Sequence, residues 1–488
     1  MLILLASLPP GLVLQHHLTT TTSSRRGRAS LSMALPWRSG LGQADADWKV
    51  AFDSAVTNLS WTAEPQPSLA LLFVPQDHAS KLEQCCAAAV KALSPQTLVA
   101  VVGAGVAGAS SELMGEPCFS IIAGELPEET AVRPFIMTGD SMPSWPSLGA
   151  AMPDGCRPSF LVFADPFSPV TQAISCLDDA YPASVVAGGL SCPTSEGAQS
   201  LAFYVRGAMP RVLPAGAVLG LALGGPRLEV HTACAQGAAP VGPTFTVTAG
   251  RDNLVEQLDG QPALEALQGV AQGVKGDTRL LKLLQQALLV GVRAEEEGGA
   301  GGDDGDFLIR QVTGATPQGG VYVGDRIEVG AKLRFFVRDG VAADADLKLM
   351  LDRYRVARTF SGRFSGGGGG FGALSGDAAA ADAAADDNVP APPPAPVEPL
   401  ATLLFACNGR GTNMYGADDP DHDTRQFEAS VAATPLAGFF CNGEIGPAGV
   451  RLPAARGDED AAPFKTHLHG FTSVFAMLYE TAPPVEAE

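Results

Sequence analysis

The stretch LALLFVPQDHASKLEQCCAAAVKALSPQTLVAVVGAGVAG, residues 69–108, decides the fold. It holds two uninterrupted apolar runs of strand length, residues 69–74 and 98–102. Between them, residues 79–93 carry Leu82, Cys86, Ala89 and Leu93 at helical spacing. A strand with no polar face is buried on both sides, so helices or other sheets must cover it. The arrangement recurs at 160–164 and 184–187 around a helix over 171–181. It recurs again at 403–407 and 436–441 around a helix over 423–431. The later pairs add a hairpin-like third strand, over 200–205 and 467–478 respectively. Amphipathic helices are expected over 262–270 and 280–292. The class is α/β, built from two related mixed sheets with helices.

Composition bounds the rest. The 488 residues include 32 Lys+Arg against 52 Asp+Glu, a formal net charge of −20, with 46% apolar and 17% charged residues. That balance excludes a nucleic-acid binder, which needs clustered cations. No apolar run reaches the ~18 residues of a membrane span. The nine cysteines are odd in number and irregularly spaced, as expected of buried free thiols in a reducing compartment.

Residues 1–44 hold Arg25, Arg26, Arg28 and Arg38 and no acid before Asp45, with Ser and Thr dense over 19–32. Arg-rich, Ser-rich and acid-poor describes a transit peptide, removed near Met33. The expected destination is the chloroplast, with mitochondrion or cytoplasm as alternatives, and residues 1–44 are expected to stand outside the fold. Two low-complexity segments follow. Residues 295–306 mix glycine with acid, and 366–399 run from five glycines through an Ala/Asp tract to APPPAPVEP. Neither can bury apolar area, so both read as loops, the second an insertion.

Three constellations could carry chemistry. Gly103-Ala-Gly105-Val-Ala-Gly108 follows an apolar run and fits G-x-G-x-x-G, with Glu125 about twenty residues on, a dinucleotide-binding pattern. A nicotinamide- or flavin-dependent oxidoreductase is therefore an alternative function. Against it, only residues 109–114 could form the following helix, under two turns, and a strand-end turn is the expected role of these glycines. His467 and His469 alternate on a predicted strand, and Cys407 and Cys441 end neighbouring ones. The four could offer zinc-like softness or a Cys–His pair, but their spacing fits no compact zinc module, so no metal is expected. Most polar of all in apolar surroundings are the two late strand ends, Phe405-Ala-Cys-Asn-Gly-Arg-Gly411 and Gly438-Phe-Phe-Cys-Asn-Gly-Glu-Ile-Gly-Pro447. Ligands in α/β sheets collect outside strand ends. Cys407, Asn408, Arg410, Cys441, Asn442, Glu444, His467 and His469 are accordingly the candidate ligand-binding residues. Arg410 would clamp a carboxylate, and Asn408, Asn442 and Glu444 would hold an amino group or hydroxyl. The plainer reading pairs Arg410 with Glu444 to lock two loops.

These C-terminal motifs resemble those of the FIST family, whose name joins F-box and intracellular signal transduction proteins. The closing strand His467-Leu-His-Gly-Phe-Thr472 fits it too, as do Leu258-Asp-Gly-Gln-Pro-Ala-Leu264, Phe307-Leu-Ile-Arg310 and Phe336-Val-Arg-Asp339. So does the junction Gln236-Gly-Ala-Ala-Pro-Val-Gly-Pro243. The resemblance implies a tandem pair, a FIST N-terminal domain over 66–252 and a FIST C-terminal domain over 253–480 carrying the 366–399 insertion. It implies a sensory role without catalysis or a cofactor: a small molecule such as an amino acid or related metabolite is bound, and an unknown signalling protein receives the output. Some relatives carry an F-box, and the opening Leu8-Pro-Pro-Gly-Leu echoes one, but no leucine-rich helix follows. An interaction scaffold or ubiquitin-ligase adaptor is thus a second alternative.

Overall fold

The computed structural model describes residues 37–43, 47–62, 65–139, 141–153, 156–293, 307–364, 398–454 and 461–481. The segment 295–306 and nearly all of 366–399 lie outside the described residues, as do residues 1–36.

All three strand–helix–strand units form, each as a parallel pair. Leu69–Pro75 pairs with Thr97–Gly103, Ser159–Ala164 with Val186–Leu190, and Ala401–Cys407 with Leu436–Cys441. The connecting helices are Leu82–Leu93, Val170–Ala180 and His422–Ser430. Every residue of Leu69–Pro75, Thr97–Gly103 and Ala401–Cys407 is buried, the outcome that apolar runs with no polar face demand.

Each unit anchors its own mixed sheet, and antiparallel strands drawn from far along the chain complete all three. The first sheet gains Cys118–Gly124 and Leu201–Val205; the latter pairs with Thr97–Gly103, not with its own unit as expected. The second gains Val218–Gly224 and Ala131–Met137 on one side, and Glu444–Pro447 with Thr466–His469 on the other. The third gains Thr472–Glu480 and Leu228–Gln236 on one side, and the hairpin Gly105–Gly108 and Ser111–Met114 on the other. The expected strand over 467–478 is therefore two strands in two sheets, broken at Gly470-Phe471. Phe471 holds φ +66°, a strained conformation for a residue with a Cβ.

The three sheets share one core. Phe73 of the first stacks on Phe439 of the third at 5.4 Å, and Phe163 of the second meets Phe405 of the third at 6.1 Å. Truncating any one of these buried rings would cost about 3–5 kcal/mol.

A fourth sheet departs from the expected pair of related sheets. Ala238–Arg251, Lys332–Arg338, Leu288–Arg293, Phe307–Ala315, Val321–Val323 and Leu254–Leu258 follow one another, and Leu254–Leu258 pairs back onto Ala238–Arg251. The antiparallel sheet thus closes on itself around Val241, Phe245, Val290 and Phe335. Helices Ala263–Gly273 and Thr278–Gln286 pack against it. The helix expected over 280–292 stops at Gln286, because residues 288–293 are needed as a barrel strand.

The boundary at residue 44 is also corrected. Arg38–Gln43 forms the edge strand of the first sheet, antiparallel to Cys118–Gly124. Trp37 is buried and its Nε1 donates to the Glu125 carbonyl at 2.9 Å. Helix Trp48–Leu59 lies directly over this strand; a Cβ on Gly42 would sit 2.1 Å from the Ala51 carbonyl oxygen, so that contact admits glycine alone.

All nine cysteines are free thiols and seven are buried, in keeping with the sequence reading.

Candidate functional site

A cavity of about 910 Å³ opens where three parts of the molecule meet. One wall is helix Val170–Ala180, through Ile174, Asp178 and Asp179. Another is the barrel, through Ile309, Arg310, Gln311 and Asp325. The third is the pair of late strand ends and the run from Lys465 to Phe471. Of the eight candidate residues, Cys407, Asn408, Asn442, His467 and His469 line this cavity; Arg410, Cys441 and Glu444 do not.

The two late strand ends are clasped. Asn408 Nδ2 donates to Asn442 Oδ1 at 2.9 Å, and Asn413 Nδ2 donates to the Asn408 carbonyl at 2.9 Å. The loop after Cys441 is tied to the second sheet, since Asn442 N donates to the Leu190 carbonyl at 3.0 Å and Leu190 N to that of Gly443 at 2.8 Å. The cavity floor is thereby shared between sheets and cross-linked by hydrogen bonds.

Its electrostatics are mixed in sign. Asp178 and Asp179 face Arg310 and Lys465 across the same space. Both Asp178 oxygens are occupied, accepting from Thr466 N–H and Thr466 Oγ1–H at 2.8 Å each. Arg310 Nε donates to Asp325 at 2.6 Å. Burial, then the charges of Arg310, Lys465 and Arg451, lower His467 to about 4. Burial and the neighbouring His467 lower His469 to about 3, and its Nε2–H donates to the Gly446 carbonyl at 2.9 Å. Both imidazoles are neutral at pH 7. Burial pushes the Cys407 thiol up to about 12, so it is not a ready nucleophile. Among the described residues, no three His, Cys, Asp or Glu side chains converge to hold a metal ion.

Arg410 has a different partner from the one expected. It is fully buried, and Nε and Nη2 donate to the two oxygens of Asp423 at 2.7 and 3.0 Å. Nη2 also reaches Tyr415 Oη at 2.8 Å. His422 extends the chain, bonded to Asp423 at 3.0 Å and to Asp344 at 2.9 Å. Ser473 donates to Asp423 as well. Burial opposes the charge on Asp423, and the Arg410 guanidinium overrides it, holding the carboxyl well below its ordinary range. Sequence reading missed Asp423 as a partner; its one trace was an acid at the start of the predicted helix over 423–431. Glu444 is tied elsewhere, its Oε2 accepting from Thr472 N at 3.1 Å and Thr472 Oγ1 at 2.7 Å. Burial raises its carboxyl to about 8, against the lowering effect of those two bonds. Arg410 and Glu444 thus do not pair with each other; each is buried among partners of its own.

The G-x-G-x-x-G run is neither a phosphate loop nor a turn. Gly105–Gly108 is a buried strand paired with Leu436–Cys441 and with Ser111–Met114. No helix follows it, so no helix N-terminus exists there to hold a pyrophosphate. A Cβ on Gly103 would lie 2.8 Å from Phe439 Cβ, and one on Gly105 would lie 2.5 Å from the Leu113 carbonyl oxygen. The glycines let the chain cross from the first sheet to the third through a packed core. The nucleotide-dependent oxidoreductase reading loses its site.

The fold and site define an α/β protein of interleaved mixed sheets with a ligand-sized cavity at their junction. The FIST N domain matches residues 68–261 and the FIST C domain residues 263–447. The chain belongs to the FIST family, whose domains are associated with ligand sensing and signal transduction. It is 29% identical over 444 residues to an uncharacterised protein of Mycobacterium tuberculosis (strain CDC 1551 / Oshkosh), covering 90% of this chain and 99% of the relative. It is 28% identical over 417 residues to an uncharacterised protein of Mycobacterium bovis (strain ATCC BAA-935 / AF2122/97), covering 85% and 91%. Among the described residues no helix is long and apolar enough to cross a membrane.

Proposed function

We propose that this protein is a small-molecule sensor whose ligand, an amino acid or related metabolite, occupies the cavity beside Cys407, Asn408, Asn442, His467 and His469. The observation that carries this reading is the cavity itself. Its 910 Å³ falls in the ~300–1,000 Å³ range of ligand sites. It is walled by residues on both sides of the FIST N/FIST C division, and it carries both signs of charge, with Asp178 and Asp179 on the helix wall and Arg310 bonded to Asp325 on the barrel wall. That distribution suits a zwitterion. Neutral imidazoles and a thiol held protonated favour binding over catalysis. Because the walls come from three parts of the chain, an occupant would draw them together, and an unidentified signalling protein would read that change.

The test is native mass spectrometry of the purified protein for a co-purifying small molecule, followed by thermal shifts with the free amino acids. Asn442→Ala and His467→Ala should abolish any shift seen. If both variants respond as the unmodified protein does, the cavity is not the receptor site.

We also propose import into the chloroplast, supported by the Arg- and Ser-rich, acid-free character of residues 1–36. A fluorescent fusion of that segment would distinguish chloroplast from mitochondrion and cytoplasm.

A further inference from the structure

The charges along the cavity wall do not balance. Asp178, Asp179 and Asp325 stand against Arg310 and Lys465, and the imidazoles of His467 and His469 are neutral, so one negative charge is left over among the described lining residues. Two of these groups are already spent. Asp178 accepts twice from Thr466, and Arg310 donates to Asp325 and to the Ile309 carbonyl. Asp179 is unspent: it is exposed, and no described residue pairs with its carboxylate or hydrogen-bonds to it. Thr171, Ser175 and Asp179 follow one another at four-residue spacing on helix Val170–Ala180, so they form one row on the face that lines the cavity. The row runs about 12 Å at ~1.5 Å per residue. On the opposite wall the unspent groups include donors. Asn442 gives its Oδ1 to Asn408, which leaves its own amide N–H groups without an acceptor among the described residues. The neutral His467 ring carries one N–H and one bare nitrogen, and neither is hydrogen-bonded to a described residue.

We propose that the cavity takes a basic amino acid, with its side-chain cation on the Thr171–Ser175–Asp179 row and its carboxylate at Asn442 and His467. This rests on the reading of the cavity as the receptor site, and it narrows the ligand from zwitterions in general to those carrying one further positive charge. A neutral amino acid leaves Asp179 unanswered, and an acidic one adds a second unbalanced negative charge. An ammonium brings three N–H donors and a guanidinium five, and the row offers them a carboxylate and two hydroxyls. A simple diamine would answer Asp179 but would bring no acceptor for Asn442 and His467. The field of the whole chain acts in the same direction, since a net charge of −20 draws cations toward the surface.

The test titrates lysine, arginine, leucine, glutamate and the diamine cadaverine into the full chain by calorimetry. Lysine and arginine should bind at least about tenfold more tightly than the other three, and that advantage should shrink as salt is raised. Asp179→Asn, a change at an exposed helix position, should leave the melting temperature in place and weaken lysine binding by about tenfold. Leucine, glutamate or cadaverine binding as tightly as lysine overturns the proposal, and so does a lysine preference that survives in Asp179→Asn. In those cases the cavity reading stands if Asn442→Ala and His467→Ala still abolish the binding seen. If no amino acid binds, the proposal falls, and the cavity reading falls with it when no small molecule co-purifies either.

Discussion

Arg410 and Asp423 form a two-bonded ion pair, at 2.7 and 3.0 Å, from which both side chains are completely shut off from solvent. Thirteen residues apart in sequence, they fasten the loop after Ala401–Cys407 to the start of helix His422–Ser430. The same helix start binds the N-terminal half of the chain, because Thr424 N donates to Glu112 at 2.8 Å and Glu112 N to Asp421 at 2.7 Å.

Breaking one member of a buried pair leaves an uncompensated charge, so Asp423→Asn should destabilise by about 3–5 kcal/mol. Arg410→Met with Asp423→Leu should cost less than either change alone. Urea unfolding checks both, and an Asp423→Asn variant as stable as the parent would refute the pair's role.

Glu444 carries a signature in alkali. Its folded value, about 8, lies above that of an unfolded carboxyl, so the folded state holds a proton the unfolded chain releases. Its contribution is intact below the ordinary carboxylate range and is lost as pH rises toward about 8, at up to about 1.4 kcal/mol per pH unit. Glu444→Gln should flatten that part of a stability profile taken from pH 5 to 9. An unchanged slope would show that Glu444 titrates normally.

His469 acts at the acid end. Its folded value, about 3, lies below the ordinary imidazole value of 6.5, so the unfolded chain takes up a proton that the folded one refuses. Stability falls as pH drops from about 6.5 toward 3. His469→Gln, which keeps a donor for the Gly446 carbonyl, should reduce acid sensitivity, read as a shift of the acid-unfolding midpoint to lower pH.

Gly105→Ala should cost about 1–3 kcal/mol through overpacking against the Leu113 carbonyl and Phe440. Calorimetry should find no NAD(P) binding to lose. Recovery of a nicotinamide titration in the unmodified protein would restore the oxidoreductase reading.

Removal of residues 1–36 should leave the melting temperature unchanged, whereas removal of 1–44 takes away Trp37 and a paired strand and should lower it sharply. Trp37→Ala alone should cost about 3–5 kcal/mol. Equal melting of the two truncated chains would place the boundary at 44 after all.

The sequence carried the three strand–helix–strand units because each is announced locally. A run such as LALLFV permits no solvent face, and Leu82, Cys86, Ala89 and Leu93 fix the period of the helix between. It carried the family through short motifs at strand ends, and five of the eight candidate residues at the cavity through the same clustering. It could not show that Leu201–Val205 pairs with Thr97–Gly103, a strand about a hundred residues earlier, or that residues 288–293 turn from helix to barrel strand. Leu288, Leu289, Val290 and Val292 satisfy either period, and a vacant place between Lys332–Arg338 and Phe307–Ala315 settles the matter.

What the amino-acid order determined by itself was which residues must leave water and with what periodicity, since burial and helical or strand spacing are properties of neighbours along the chain. Which strand lies beside which, and which carboxylate answers Arg410, was decided only in three dimensions. Several acids satisfy the charge of a guanidinium equally well on paper, and only the packing of two distant loops brings Asp423 to 2.7 Å and leaves Glu444 to Thr472.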